Sequence, residues 1–219
     1  MKPIKTPRVY QDRKQLYTEN LKESKGIKVY GERIIKNKNK ELRSWNPYRS
    51  KLAAAILNGL NLEVKEDNSI LYLGAATGTT VSHLSDILEK GRIYAVENSP
   101  IAMKKLINVC EKRTNVIPIL QDAFHSHKYE IIVPTVDFVY QDISQRNQAE
   151  IFIENIQSYL RKNGKAILMV KARSINVSLK PKKVYENVCS QLEKEKLKIV
   201  DVIDLSPYEK DHAAILVGV

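Results

Sequence analysis

Cysteine is nearly missing from this chain: Cys110 and Cys189 are the only two in 219 residues. They show no metal or redox spacing, so a disulfide framework and a cysteine-based zinc site are both excluded. Both fall in helix-like stretches and are expected to be buried thiols in a reducing compartment. No apolar run approaches the roughly 18–20 residues that a membrane span needs. Met1-Lys2-Pro3-Ile4-Lys5 has no apolar core behind it, which predicts a cytoplasmic chain with no secretory signal and no membrane partner. The Gly-x-Gly-x-x-Gly of dinucleotide binders is absent, as are an RNP aromatic motif, a Gly-x-x-Gly clamp and a zinc knuckle. Any nucleic-acid target must then be specified by something other than a sequence-reading module.

What the chain has in excess is positive charge, +11 overall. Residues 1–50 hold 14 Lys/Arg against 5 Asp/Glu, so most of the excess is N-terminal. A second concentration lies between Glu154 and Glu186, where Arg161, Lys162, Lys165, Lys171, Arg173, Lys180, Lys182 and Lys183 occur with no acidic residue. Such clusters suit a polyanion, nucleic acid above all, or serve as a solvated surface.

The apolar pattern divides the chain at Asn46-Pro47, since a residue preceding proline is pushed out of the helical region. Before it, Val29-Tyr30, Arg33–Ile35 and Glu41–Trp45 look like strands, with a turn over Lys36–Lys40, which predicts a small basic β module over residues 1–46. After it, over residues 47–219, helix and strand alternate. Helices are predicted over Ser50–Leu60, Thr80–Glu89, Pro100–Lys112, Asn147–Leu160 and Pro181–Lys194. Strands are predicted over Ile70–Gly74, Ile93–Glu97, Val116–Leu120, Asp137–Tyr140, Ala166–Lys171, Ile199–Leu205 and Ala213–Val219. Continuous apolar strands separated by helices imply a parallel sheet covered on both faces. The last two runs, joined only by Ser206–His212, must form an antiparallel hairpin. The expected fold is α/β: a seven-stranded Rossmann-like sheet of the methyltransferase kind, its last strand antiparallel.

Ligands of open α/β sheets bind at the carboxyl ends of the strands. The first such end is Leu73-Gly74-Ala75-Ala76-Thr77-Gly78-Thr79-Thr80, small and glycine-bearing, which leaves room for a ligand. Glu97 ends the second strand, where an acid takes ribose hydroxyls, and Asp122 follows the third, placed to accept from an adenine amino group. Each alone fits an exposed loop. Three consecutive strand ends carrying glycine loop, Glu and Asp point to a nucleoside cofactor.

Trp45-Asn46-Pro47-Tyr48-Arg49-Ser50-Lys51-Leu52-Ala53-Ala54-Ala55-Ile56 resembles the opening of the fibrillarin methyltransferase domain, and Leu71–His83 resembles its cofactor loop. Asp142-Ile143-Ser144-Gln145, Val170-Lys171-Ala172 and Tyr208-Glu209-Lys210-Asp211-His212-Ala213 match later blocks in the same order, so the similarity runs from about Lys28 to the C-terminus. No Gly/Arg-rich tail precedes it, which resembles the archaeal form. The resemblance implies transfer of a methyl group from S-adenosyl-L-methionine to ribose 2′-hydroxyls of rRNA and tRNA, hence a role in rRNA and tRNA processing. It places cofactor contacts on Gly74, Ala75, Gly78, Thr79, Thr80, Glu97, Asn98, Asp122, Ala123, Asp142, Ile143, Ser144 and Gln145, and implies no metal. An aromatic residue is more usual at the place of Asn98, so the adenine is expected to find less apolar surface there. The implied catalytic tetrad is Lys51, Asp142, Lys171 and His212. Lys171, ending a buried strand, is expected to act as base or orienter, with Asp142 orienting it and Lys51 and His212 completing a polar ring. The remaining histidines, His83, His125 and His127, match no cluster and are expected to carry no chemistry. The implied partners are a box C/D guide RNA paired with the substrate, a Nop-type scaffold protein and a kink-turn-binding, ribosomal-protein-like subunit. Two rival readings are a free-standing FtsJ-type ribose methyltransferase, which ends its tetrad in Glu, and a non-catalytic ribonucleoprotein subunit.

Overall fold

A computed structural model describes all 219 residues. Its N-terminal part is a five-stranded antiparallel sheet of β1 (Lys2–Pro3), β2 (Val9–Asp12), β3 (Gln15–Glu19), β4 (Ile34–Asn37) and β5 (Lys40–Trp45), in the order β1-β2-β3-β5-β4. The β4–β5 hairpin turns at Lys38-Asn39, with Lys38 at φ 54°. β1, β2 and β3 escaped the sequence reading, because these short strands alternate weakly and bury a threonine, Thr18, as well as Val9 and Leu16. Val29-Tyr30 is not a strand. Its amides donate to the Glu32 carboxylate instead of to a ladder (Tyr30 N to Oε2, 2.9 Å), so the segment is a side-chain-bound loop.

Beyond Trp45 the chain alternates as expected. α1 (Lys51–Leu57) is followed by β6 (Ser69–Leu73), α2 (Thr79–Ile87), β7 (Arg92–Glu97), α3 (Pro100–Cys110) and β8 (Val116–Leu120). Then come β9 (Val136–Gln141), α4 (Gln148–Tyr159), β10 (Leu160–Lys171), the single turn α5 (Ala172–Ile175), α6 (Pro181–Lys194), β11 (Lys198–Asp204) and β12 (His212–Gly218). The sheet order is β11-β12-β10-β9-β6-β7-β8, with β12 antiparallel to both its neighbours and the pairs among β6 to β10 parallel. β10 starts six residues before the predicted Ala166. Its early part joins the sheet through a register shift between Leu160 and Lys165, around Asn163 at φ 60°, an irregularity that apolar patterning does not reveal. No helix is long and apolar enough to cross a membrane.

Both faces of the large sheet are covered. One core gathers Leu52, Ala53, Tyr72, Val81, Leu106, Tyr140, Met169 and Ala214; the other gathers Leu71, Val139, Phe152, Leu168, Val188 and Ile215. The first core also takes in Val9, Leu16 and Trp45, so the N-terminal sheet shares its apolar interior with the large one. Both cysteines are half-buried free thiols, less enclosed than expected, and burial still pushes Cys110 up to about 11.

A buried polar cluster fastens the two sheets together. Arg43 on β5 and Asp86 on α2 are both fully enclosed and meet at 2.7 Å, while Arg43 also donates to Glu32. Asp86 accepts from Arg113 at 2.6 Å and from the Thr18 hydroxyl at 2.6 Å. Burial alone would raise the Glu32 carboxyl, but Arg43 and the amides of Tyr30 and Val29 outweigh it and hold it low. His83, fully buried, stacks on Trp45 with centroids 4.9 Å apart and bonds Thr18 at 2.7 Å and the Tyr30 hydroxyl at 2.7 Å. It therefore belongs to a cluster, though a structural one.

Candidate active site at the carboxyl edge of the large sheet

The period-two alternation of strands decides which side chains meet at the sheet edge. On β9, β10 and β12, Tyr140, Met169 and Ala214 belong to the core beneath α1, so Asp142, Lys171 and His212, two residues away from each, lie on that same face. Lys171 and His212 are direct partners across the β10–β12 ladder. Lys51 enters this face from the first residue of α1, whose N-cap Ser50 accepts from the Ala53 amide. Lys51 Nζ lies 2.7 Å from Asp142 Oδ1, with side chains 20% and 17% exposed.

This geometry corrects one expected contact: Asp142 is paired with Lys51, not with Lys171, whose side chain forms no ion pair. α1 packs over the strand ends, which brings its first residue to the carboxylate, a proximity that sequence separation hides. His212, nearly buried, places Nδ1 2.7 Å from the Lys210 carbonyl. A carbonyl only accepts, so Nδ1 carries a hydrogen, which leaves the lone pair of the neutral ring on Nε2.

Next to this ring is a cleft of about 250 Å³ lined by Gly74, Ala76, Val96, Glu97, Asn98, Gln121, Asp122, Ala123, Asp142, Ile143, Ser144 and Gln145. Its loop after β6 has three left-handed residues within five: Gly74 (φ 83°), Ala76 (φ 49°) and Gly78 (φ 88°). At Gly74 a Cβ would stand 2.5 Å from the Asp142 carbonyl oxygen, so glycine lets this loop pass against the end of β9. Ala76, which has a Cβ, is drawn into the same region by its amide, which donates to Glu97 Oε2 at 2.7 Å. Glu97 Oε1 accepts from the Ser99 amide at 2.8 Å. Each of its oxygens keeps a lone pair for a further donor. Asp122 Oδ1 accepts from the Phe124 amide at 3.0 Å.

Of the expected cofactor residues, Ala75, Gly78, Thr79 and Thr80 do not line the cleft. Instead, Gly78 caps α2, and Thr80, buried, meets the Ser50 hydroxyl at 3.0 Å. That contact ties the cofactor loop to the helix bearing Lys51. Asn98 is exposed at the rim, and the apolar lining comes from Ala76, Val96, Ala123 and Ile143. Sequence reasoning missed Ala76, Val96, Gln121 and Gln148. Gln148 is fully buried; its side chain accepts from the Lys171 amide at 3.2 Å and donates to the Gln145 carbonyl at 2.9 Å, holding two strand ends together. A lone glutamine at a helix start gives no signal for this in the sequence. His125 and His127 lie beyond Asp122 and belong neither to the ring nor to the cleft lining, though the His125 amide donates to the Asp122 carbonyl at 3.0 Å.

A glycine loop, Glu and Asp on consecutive strand ends of a seven-stranded sheet with β12 reversed define a Rossmann-like methyltransferase fold. A model of the family described as fibrillarin matches residues 3–219. The chain belongs to the fibrillarin family. It is 48% identical over 193 residues to the fibrillarin-like rRNA/tRNA 2'-O-methyltransferase of Methanothermobacter thermautotrophicus, covering 88% of this chain and 86% of that one. Among solved structures it is similar to the fibrillarin of a fibrillarin/Nop5p complex, with TM-score 0.89, 43% identity and 96% of each chain covered. It is also similar to Aeropyrum pernix fibrillarin with natively bound S-adenosyl-L-methionine, with TM-score 0.84, 44% identity, and 93% of this chain and 88% of that one covered.

Proposed function

We propose that this protein methylates ribose 2′-hydroxyls of rRNA and tRNA with S-adenosylmethionine, at positions chosen by a box C/D guide RNA. The observation that carries this reading is the meeting of the Lys51–Asp142 pair with the Lys171–His212 rung beside a cleft holding Glu97 and Asp122. The donor set suits a nucleoside: Glu97 retains acceptor capacity for ribose hydroxyls, Asp122 for an adenine amino group, and Val96 and Ile143 offer apolar surface to the base. When bound, S-adenosylmethionine supplies a methyl group activated by its sulfonium charge.

The chain's own residues then orient and deprotonate the acceptor. Lys51 fixes the Asp142 carboxylate at the end of β9, between cleft and ring. Lys171 stabilises the negative charge that grows on the ribose oxygen. His212, its Nδ1 committed to the Lys210 carbonyl, takes the hydroxyl proton on Nε2. Holding the acceptor in line accounts for much of the acceleration. The absence of a sequence-reading RNA motif supports a guided catalyst, working with a Nop-type scaffold and a kink-turn-binding subunit. A free-standing FtsJ-type enzyme is disfavoured by histidine, not glutamate, at position 212.

The test is calorimetry with S-adenosylmethionine, paired with methyl transfer to a guide-matched RNA, for wild type and Lys171→Ala. Saturable cofactor binding by both proteins and turnover by wild type alone is expected. Failure of the wild type to bind the cofactor would leave only a structural subunit, and retained turnover by Lys171→Ala would remove that residue from the mechanism.

A further inference from the structure

On the other side of the cofactor loop lies a second cavity, of about 340 Å³, into which Lys28, Arg49, Lys105 and Lys112 converge. Thr77 lines it, next in sequence to Ala76 in the cofactor cleft, and Arg49 stands two residues before Lys51, so the cavity adjoins the reaction site. None of its eleven lining residues is acidic. None of these four cations forms an ion pair, whereas Arg8, Lys40, Arg43, Arg113 and Lys165 all do. Unpaired like charges around one concavity repel each other and focus a positive potential into it.

The cavity is also built, with part of its frame coming from the N-terminal module. The Arg49 guanidinium lies over the Tyr30 ring at 5.3 Å. That ring is anchored by its hydroxyl, which lies 2.7 Å from His83 Nε2 and 3.0 Å from the Ser44 carbonyl. Lys28 belongs to the same N-terminal loop, while Lys105 and Lys112 come from α3 and the turn after it. Separated cations around a cavity of whose four apolar lining residues, Ile27, Val29, Tyr30 and Val109, none is buried match spaced phosphates better than a protein hot spot.

We infer that this basin seats the phosphodiester backbone of the RNA whose ribose is presented to Lys171 and His212, and that the N-terminal module serves to frame it. The inference rests on the RNA methyltransferase reading. Each Lys–phosphate contact adds roughly 0.7–0.9 to the slope of log affinity against log salt. The test compares the full chain with the triple variant Lys28→Gln, Lys105→Gln, Lys112→Gln, reading anisotropy of a labelled RNA duplex over a range of KCl concentrations. The control is Lys162→Gln, Lys194→Gln, Lys198→Gln, which removes equal charge from the opposite end of the sheet.

The expected result is a slope lower by about 2–3 in the basin variant alone, with S-adenosylmethionine affinity unchanged. Equal slopes in wild type and basin variant, or an equal fall in the control, would overturn the inference. So would unchanged RNA binding with lost co-elution of the scaffold protein, which would make the basin a seat for an acidic protein segment. A wild-type chain that showed this salt dependence yet neither bound S-adenosylmethionine nor methylated would instead remove the functional reading and leave the basin standing.

Discussion

Replacing His83 with glutamine should flatten the pH dependence of stability between pH 6.5 and 5. His83 is fully enclosed between Trp45, Thr18 and Tyr30. Burial, reinforced by the nearby Arg43 and Arg113 charges, holds its pKa well below the ordinary value. The unfolded chain takes up a proton near pH 6.5 while the folded one does not, so the folded state loses stability as pH falls below that point. The loss is about 1.4 kcal/mol per pH unit, so stability at pH 5.5 is about 1.4 kcal/mol below that at pH 7.5 from this one group. The carboxylates held low in the fold, Glu19 and Glu32, act in a more acidic window: their contribution is present above about pH 4.3 and is lost below it. Urea unfolding at constant ionic strength, at several pH values from 7.5 to 5, gives the slope. The variant will be less stable throughout, having lost the stack on Trp45, so the slope is what decides. Equal slopes for His83→Gln and wild type would refute the assignment of His83 as a neutral joint between the sheets.

Three further outcomes follow from the same contacts. Asp86→Asn leaves Arg43 and Arg113 buried without their shared carboxylate and should cost about 3–5 kcal/mol by chemical denaturation; a loss below about 1 kcal/mol would contradict the network. Gly74→Ala puts a methyl group against the Asp142 carbonyl at a left-handed φ, a strain of about 1–3 kcal/mol. It should weaken S-adenosylmethionine binding in calorimetry, and unchanged affinity would show that the loop yields freely. Glu97→Gln keeps one acceptor oxygen where Ala76 and Ser99 need two, leaving one amide unpaired at a cost of about 1–3 kcal/mol. The same calorimetry should show weaker binding, and wild-type affinity would exclude Glu97 as an organiser of the cleft.

The large sheet was legible because its buried strands are continuous apolar runs between amphipathic helices. Pro181–Lys194 and Val116–Leu120 were bounded to the residue. The first three strands were not, since their inward face mixes Thr18 with Val9 and Leu16 and hides its period. At the site, the strand-end residues Glu97 and Asp122 could be placed because α/β topology puts such ends in one row. Lys51, Asp142, Lys171 and His212 came from family motifs, for nothing local distinguishes Lys51 from a solvated helix lysine. What stayed hidden depends on contacts remote in sequence: the Lys51–Asp142 pair spans 91 positions, and the Ser50–Thr80 contact spans 30. Glu32, Arg43, Asp86 and Arg113 were not singled out in the sequence, because no spacing rule links them.

The central claim is guided methylation at a ribose, and the most direct measurement locates the methyl group. The chain, assembled with the Nop-type scaffold, the kink-turn-binding subunit and a box C/D guide RNA, is supplied with S-adenosylmethionine and a complementary RNA; the product is mapped by mass spectrometry. A single 2′-O-methyl group at the guide-specified nucleotide, absent with Lys171→Ala and moving when the guide is changed, is the predicted result. Methylation on a base, or at the same nucleotide without any guide, would contradict it.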